Sequence, residues 1–346
     1  MKTILVTGGI GFIGSHTVCE LINSGNSVVI IDNFSNSDIN TITEIEKIVK
    51  NELVVYEVDI NDKVRLDNVF KTHKIDAVIH FAAYKSVFES IKYPLKYYTN
   101  NVVSTITLLE VMNENNCKEM IFSSSATVYG NSISPLKEDS QTGIGITNPY
   151  GQTKYMMENI LEDYSKAIKD SSITILRYFN PIGAHPSGLI GENPKDIPNN
   201  IMPIMLKVAI QNNTDIFINN VFNTINIFGN NYNTPDGTCI RDYIHVVDLA
   251  RAHVMALNPI KQKKSYNIYN IGTGKGYSVL ELINKFKEVN NVSLPYKFTD
   301  RRDGDIEEVY CNSDKAYNEL GWKAELSLDD MCKDSMNFIK KHSNKI

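Results

Sequence analysis

A tyrosine and a lysine one helical turn apart, Tyr150 and Lys154, with Ser125 upstream of them, have the types and spacing for proton transfer at a hydroxyl. The run Asn148-Pro149-Tyr150-Gly151-Gln152-Thr153-Lys154 reads as a helix start, with Asn148 as N-cap and Pro149 at the first helical position. Tyr150 and Lys154 then share a face. A free tyrosine has a pKa near 10, so service as a base near neutrality requires lowering it by about 3 units, or roughly 4 kcal/mol. A nearby ammonium and a second positive charge beside the phenol supply that. Ser125, within Ser123-Ser124-Ser125-Ala126-Thr127-Val128-Tyr129-Gly130, is placed to pass or share the substrate proton. A Tyr-x-x-x-Lys spacing alone also describes many ordinary helix faces. Its meaning here depends on the motifs that precede it.

The first is Thr7-Gly8-Gly9-Ile10-Gly11-Phe12-Ile13-Gly14-Ser15, which follows a strand pattern and opens a helix pattern. Gly8, Gly11 and Gly14, with Phe12 and Ile13 between them, make a turn that lets a pyrophosphate approach the main chain at a helix N-terminus. Asp32 ends the second apolar run 18 residues after Gly14. That spacing suits a carboxylate accepting hydrogen bonds from an adenosine ribose, with Asn33 beside it. An anion there repels a 2′-phosphate, so NAD is expected rather than NADP. Asp59 and Ile60 after the third strand, and Phe81, Ala82 and Ala83 after the fourth, fall at carboxyl strand ends where ligands sit in open α/β sheets. His80, inside an apolar run, reads as a core histidine.

These motifs need a scaffold of alternating elements. Short apolar runs at Thr3–Thr7, Ser27–Ile31, Val54–Tyr56, Asp76–His80 and Glu119–Ser123 alternate with amphipathic stretches such as Phe12–Asn23 and Leu66–Thr72. Such alternation predicts a Rossmann-type doubly wound parallel sheet in an α/β fold. Residues 1–180 are expected to form the NAD-binding domain and 181–346 a smaller C-terminal substrate-binding lobe, with 241–272 returning to the first domain. Within that return, Tyr243–Leu257 reads as helix and Ile268–Ile271 as strand; Leu328–Lys340 reads as a final helix.

Net charge is -5, which leaves no electrostatic footprint for nucleic acid. Lys261–Lys264 reads as a solvated loop. No apolar run approaches the roughly 20 residues that span a bilayer. Five cysteines without a Cys-x-x-Cys pair argue against a disulfide framework and a zinc site, so no metal is expected and a reducing, cytoplasmic setting is.

The chain resembles the extended short-chain dehydrogenase/reductases and, within them, the UDP-hexose 4-epimerases. Beyond the glycine and serine motifs, the likeness lies in Leu176-Arg177-Tyr178-Phe179-Asn180-Pro181, Gly183-Ala184-His185-Pro186-Ser187-Gly188, Ile197-Pro198-Asn199-Asn200-Ile201-Met202-Pro203 and Arg241-Asp242-Tyr243-Ile244-His245-Val246. The resemblance implies reversible C4 epimerisation of UDP-galactose and UDP-glucose through a 4-keto sugar, with NAD bound and Tyr150 as base. It implies cofactor contacts from Lys85, Asn100, Ser123 and Tyr178, and Lys154 on the nicotinamide ribose. For the UDP-sugar it implies Lys85, Ser125, Tyr150, Asn180, Asn200, Ile201, Phe228, Arg241, Arg302 and Asp305; guanidinium forks suit the pyrophosphate. Val309 stands where some relatives carry tyrosine, and a small side chain there leaves room for an N-acetyl group. A homodimer through the helical patterns Leu95–Met112 and Tyr155–Tyr164 is also implied, although apolar helix faces equally serve an internal core. The stretch Asn212–Asn226 is longer than the family's usual connection.

Two other readings compete. Nucleotide-sugar dehydratases share the glycine loop and the Tyr-x-x-x-Lys pair but place Asp-Glu after a threonine, where this chain has Ser125-Ala126-Thr127 and no carboxylate. A catalytically silent NAD-binding scaffold would have no use for Tyr150, Lys154 and Ser125 together.

Overall fold

The computed structural model describes residues 1–195, 198, 200–213, 223–258, 265–302 and 304–342. Among them, β1 (Thr3–Thr7), β2 (Ser27–Asp32), β3 (Val54–Glu57), β4 (Ala77–His80), β5 (Glu119–Ser125), β6 (Ser172–Tyr178) and, much later, β11 (Tyr266–Ile271) form one parallel sheet. Its spatial order is β3-β2-β1-β4-β5-β6-β11. The order reverses between β1 and β4, which opens a crevice at the carboxyl ends of the strands.

Alternation along each strand explains why helices cover both faces. Ile4, Val6, Ile30 and Ile79 point to one side and meet Val18 and Leu21 of α1 (Phe12–Asn23) and Leu249 and Ala252 of α9 (Val246–Ala256). Leu5, Val29, Ile31 and Val78 point to the other. There they meet Leu66 and Val69 of α3 (Lys63–Thr72), Leu108 and Met112 of α6 (Ser104–Glu114), and Met157 and Leu161 of α7 (Pro149–Ala167). Each fully buried aliphatic side chain of this kind contributes about 1.5–3 kcal/mol. α2 (Thr41–Val49), α4 (Val87–Lys92) and α5 (Pro94–Tyr97) lie in the connections between strands.

The rest of the chain supplies short strands and three helices to a second core. Strand β7 (Asn180–Ile182) pairs with β10 (Tyr243–His245), and β8 (Ile225–Phe228) with β13 (Tyr296–Thr299). A third group joins β9 (Ile240–Arg241) to β12 (Tyr277–Ser278) and β14 (Glu308–Val309). α8 (Ile201–Asn213), α10 (Val279–Asn290) and α11 (Leu328–His342) contribute Met205, Leu206, Leu282, Phe286, Met331 and Met336 to its interior.

Three elements differ from the expectation. Strand β6 lay in no expected element: Ser172-Ile173-Thr174-Ile175 alternates, but the run ends on Leu176-Arg177-Tyr178, and Arg177 is buried in the sheet through its pairing with Glu158 of α7 at 2.7 Å. Tyr243–His245 is extended rather than helical: the Nδ1 of His245 accepts from the Val247 N–H at 3.1 Å and so caps a helix that starts at Val246. The expected helix Leu95–Met112 is interrupted by a π turn over Tyr98–Val103. Inside that turn Asn101 is fully buried; its side chain bonds both the N–H (2.8 Å) and the C=O (3.0 Å) of Tyr84, and Thr153 at 3.1 Å. Such turns gather at functional sites. Lys261–Lys264 and most of Asn212–Asn226 lie outside the described residues.

Candidate active site

A cleft of about 1070 Å³ runs along the carboxyl ends of the strands. At one end it is floored by the glycine loop. Gly8 adopts φ +67°, and a Cβ on it would stand 2.9 Å from the Ala82 nitrogen. A Cβ on Gly14 would stand 2.3 Å from the Gly8 carbonyl oxygen. The loop is thus closed to side chains at both positions, and α1 begins behind Gly11 without a side-chain cap, leaving its first N–H groups for an anion. Asp32 is almost wholly buried, with Oδ2 accepting from the Ile10 N–H at 3.0 Å and Oδ1 from the Phe34 N–H at 2.9 Å and the Ser37 hydroxyl at 2.8 Å. Asn33 donates to Asp59 at 3.2 Å. Phe12, Ile13, Ile60, Phe81, Ala82 and Ala83 complete this end. A dinucleotide's pyrophosphate and adenosine suit this set of donors and backbone.

Midway along the cleft stand Ser123, Ser125, Tyr150, Lys154 and Tyr178. Asn148 Oδ1 accepts from the Gly151 N–H at 2.8 Å, so α7 starts where the sequence places it. Lys154 is buried and donates to the Ser123 carbonyl at 2.6 Å. Burial lowers its pKa to about 7, opposed by the charge of Glu158 one turn further along. Glu158 in turn is held by the Arg177 guanidinium through two bonds, of 3.0 and 2.7 Å. Burial pushes the Tyr150 phenol up, and the Ser125 hydroxyl opposes the rise. The protein's own groups therefore leave Tyr150 a poor base; the lowering expected from Lys154 does not arise from Lys154 alone.

Lys85, Asn100, Asn180, Asn200 and Ile201 also line the cleft. Lys85 pairs with Glu192 at 3.0 Å, and Asn200 donates to the same carboxylate at 2.9 Å. Five further expected residues line a separate place. Arg302 stacks on Phe228 at 4.1 Å, Arg241 lies 3.6 Å from Asp305, and Val309 sits in register with Arg241. Val309 packs on the cluster that contains Tyr129 and Phe179, and Phe179 also lines the cleft, which joins the two groups. His80 is a satisfied core residue, bonded to Thr7 at 2.7 Å and Thr105 at 3.1 Å. Sequence reasoning missed Glu158, whose i+4 spacing from Lys154 was a usable signal. It also missed Glu192, which lines the cleft and for which the sequence carries no local signal. Among the described residues no cluster of three or more His, Cys, Asp or Glu side chains is arranged to hold a metal ion.

Residues 4–272 match the model of the NAD dependent epimerase/dehydratase family. The chain is 48% identical to the UDP-glucose 4-epimerase of Bacillus subtilis (strain 168) over 342 residues, spanning 99% of this chain and 98% of that protein. It is likewise 48% identical to the UDP-glucose 4-epimerase of Dictyostelium discoideum, over 99% of this chain and 96% of that one. The crystal structure of the Bifidobacterium longum UDP-glucose 4-epimerase in complex with NAD+ and UDP superposes with a TM-score of 0.93 at 46% identity, covering 99% of this chain and 100% of that one. A glycine loop closed to side chains, a Ser-Tyr-Lys set lining the same cleft and a family match over most of its length lead to one conclusion: the chain belongs to the NAD dependent epimerase/dehydratase family.

Proposed function

We infer that this chain interconverts UDP-galactose and UDP-glucose by reversible epimerisation at C4, through a 4-keto sugar and with NAD held in the cleft. The observation that carries the reading is the meeting of the half-buried Tyr150 and Ser125 with the buried Lys154 in the cleft that the Gly8–Gly14 loop floors. The names of the full-length relatives support it. When bound, NAD supplies a reversible hydride acceptor at C4 and, oxidised, a positive charge beside the phenol. Tyr150 takes the O4 proton and later returns it, with Ser125 sharing it. Lys154, fixed on the Ser123 carbonyl, holds the nicotinamide ribose and adds its charge when protonated. Asp32 and Asn33 hold the adenosine ribose. Arg241 and Arg302 take the UDP pyrophosphate, Asp305 the uridine ribose, and Asn180 and Asn200 the sugar. Because a 4-keto sugar must present either face to one hydride site, Arg241, Arg302 and Asp305 grip the nucleotide while the hexose turns against Asn180 and Asn200.

The reading extends to three further points. The small Val309 leaves space for an N-acetyl group, so UDP-GlcNAc and UDP-GalNAc are substrates. Domain organisation follows the sheet, with 1–180 and the returning 241–272 forming the cofactor domain, from which Ser125, Tyr150, Asn180 and Arg241 also reach the UDP-sugar, and the remainder forming the UDP-sugar lobe; the pairing of β11 with β6 supports this. A homodimer forms through α6 and α7, where the exposed Val103 and Ile106 stand beside a shallow groove lined by Leu109, Ile160 and Tyr164. All five cysteines are free and buried, which supports a cytoplasmic setting; no helix among the described residues is long and apolar enough to cross a membrane.

The test is conversion of UDP-galactose to UDP-glucose by purified protein without added NADH, with UDP-GlcNAc in parallel. Conversion of the first establishes the reaction, and conversion of both establishes the Val309 argument. No conversion by folded protein carrying NAD would remove the reading.

A further inference from the structure

Two apolar rows on neighbouring strands end in polar residues behind the cleft. Met120 and Phe122 of β5, and Ile173 and Ile175 of β6, point to the face that α7 covers with Met157 and Leu161. The next residue of each row is Ser124 on β5 and Arg177 on β6, which stand opposite each other in the parallel register. Both are almost wholly buried, and the side chain that meets both is Glu158 of α7, buried to the same degree. Its Oε1 accepts from the Ser124 hydroxyl at 2.5 Å and from the Arg177 Nε–H at 3.0 Å, and its Oε2 accepts from Arg177 Nη2 at 2.7 Å. Arg177 is held on its far side as well, where Nη1 donates to the Tyr129 hydroxyl at 3.0 Å and to the Glu138 carbonyl at 3.1 Å. One carboxylate therefore ties β5, β6 and α7 together.

Those three elements carry the groups that meet in the middle of the cleft. Tyr150, Lys154 and Glu158 follow one another at four-residue steps along α7 and share its face. On either side of Ser124 stand Ser125 and Ser123, whose carbonyl accepts from Lys154 at 2.6 Å; next to Arg177 stands Tyr178. Ser123, Ser125 and Tyr178 line the cleft with Tyr150 and Lys154, whereas Glu158 does not. Each of these cleft-lining strand residues is thus the chain neighbour of a residue that Glu158 holds. A buried ion pair is often no more stabilising than an apolar pair of its size, but its geometry fixes the elements it joins. The Glu158 charge also favours the protonated form of Lys154, which agrees with the need for a cation near the phenol.

We propose that Glu158 is a positioning residue for catalysis: by holding Ser124 and Arg177 to α7 it keeps the end of β5 where the Ser123 carbonyl takes the Lys154 ammonium and Ser125 shares the cleft with Tyr150. This rests on the proposed epimerisation with Tyr150 as base. Glu158 acts on the reaction only through the residues it holds in place.

The experiment compares wild type, S124A, E158M/R177M, S124A/E158M/R177M and L161A, each isolated with its bound cofactor. Both members of the ion pair are replaced together, since removing one would leave the other charge buried and unpaired. The readouts are kcat and KM for UDP-galactose and, free of turnover, the distance from Lys154 Nζ to the Ser123 oxygen in crystals of wild type and E158M/R177M. The double variant is expected to lower kcat about 100-fold, with KM and NAD content within about twofold of wild type, because a misplacement of about 1 Å costs that much. Its Lys154–Ser123 distance should exceed hydrogen-bond reach. S124A alone should lower kcat about fivefold, and should lower it no further in the E158M/R177M background, where its partner is gone. L161A opens a cavity on the same helix and leaves the tie intact; it should melt at a lower temperature with kcat within about twofold of wild type. Should E158M/R177M fail to fold, S124A carries the test, and wild-type kcat in that variant overturns the proposal. A folded E158M/R177M with wild-type kcat or an unmoved Lys154–Ser123 bond, or a loss in L161A equal to that in S124A, overturns it too. Wild-type protein that converts no UDP-galactose, or a Y150F variant that retains turnover, would instead overturn the reading on which the proposal rests.

Discussion

Tyr150 and Lys154 are burdened by burial in opposite ways, the phenol pushed up and the ammonium pushed down to about 7. Replacing Tyr150 by phenylalanine removes the proton acceptor; turnover should fall by roughly 10²–10⁴-fold while bound NAD, read by its release on denaturation, stays at the wild-type level. For Lys154 the folded pKa lies below the unfolded value of 10.5. Between pH 7 and 10.5 the unfolded chain therefore holds a proton that the folded chain lacks, so stability rises with pH across that window and is flat below it. At pH 8 Lys154→Met lifts a penalty on the order of 3 kcal/mol and loses a hydrogen bond of about 1 kcal/mol. The variant should melt higher than wild type and be nearly inactive, as calorimetry beside an epimerase assay would show. Unchanged or lower thermal stability at pH 8 would count against the burial argument. The placement of these residues on one face at the start of α7 was legible in their spacing. Their pKa values were not, because burial depends on what β5 and β6 place around them.

At the scale of elements, the glycine loop and the start of α7 could be read in the sequence because both are local: a turn closed to Cβ atoms, and an N-cap three residues before the N–H it accepts. Gly14→Ala should cost the protein its cofactor. The added methyl would meet the Gly8 carbonyl oxygen at 2.3 Å, and moving that carbonyl moves the amides that face the pyrophosphate. Protein purified from this variant is expected to carry less than about a tenth of the wild-type NAD, since losing 1.4 kcal/mol of binding already means a tenfold change. Full NAD content would show that the loop tolerates a side chain. Less legible were β6, which carries Arg177 into the buried sheet only because Glu158 of α7 pairs with it, and the π turn at Tyr98–Val103, which depends on Asn101 reaching Tyr84 and Thr153. The residues proposed for the UDP side were read only by resemblance: Phe228, Arg241, Arg302, Asp305 and Val309 come from three separate stretches, brought together by the β9–β14 pairing and by Arg302 on Phe228.

For the whole molecule, the exposed apolar faces of α6 and α7 set the test of assembly. Ile106→Asp puts a charge beside the groove of Leu109, Ile160 and Tyr164; light scattering should show the mass halved, with the far-ultraviolet circular dichroism unchanged. A dimer that survives the change would move the interface elsewhere. Strand β11 has a different consequence. It completes the sheet next to β6 only after the chain has passed through β7, α8, β8, β9, β10 and α9. While a ribosome is still making the middle of the chain, the backbone amides and carbonyls along the outer side of β6 have nothing to pair with, and such an edge invites other chains. The nascent protein must therefore keep that edge covered or solvated until residue 271 has cleared the exit tunnel. Slow codons or a stalled ribosome before that point would favour aggregation, whereas the same delay afterwards would be harmless.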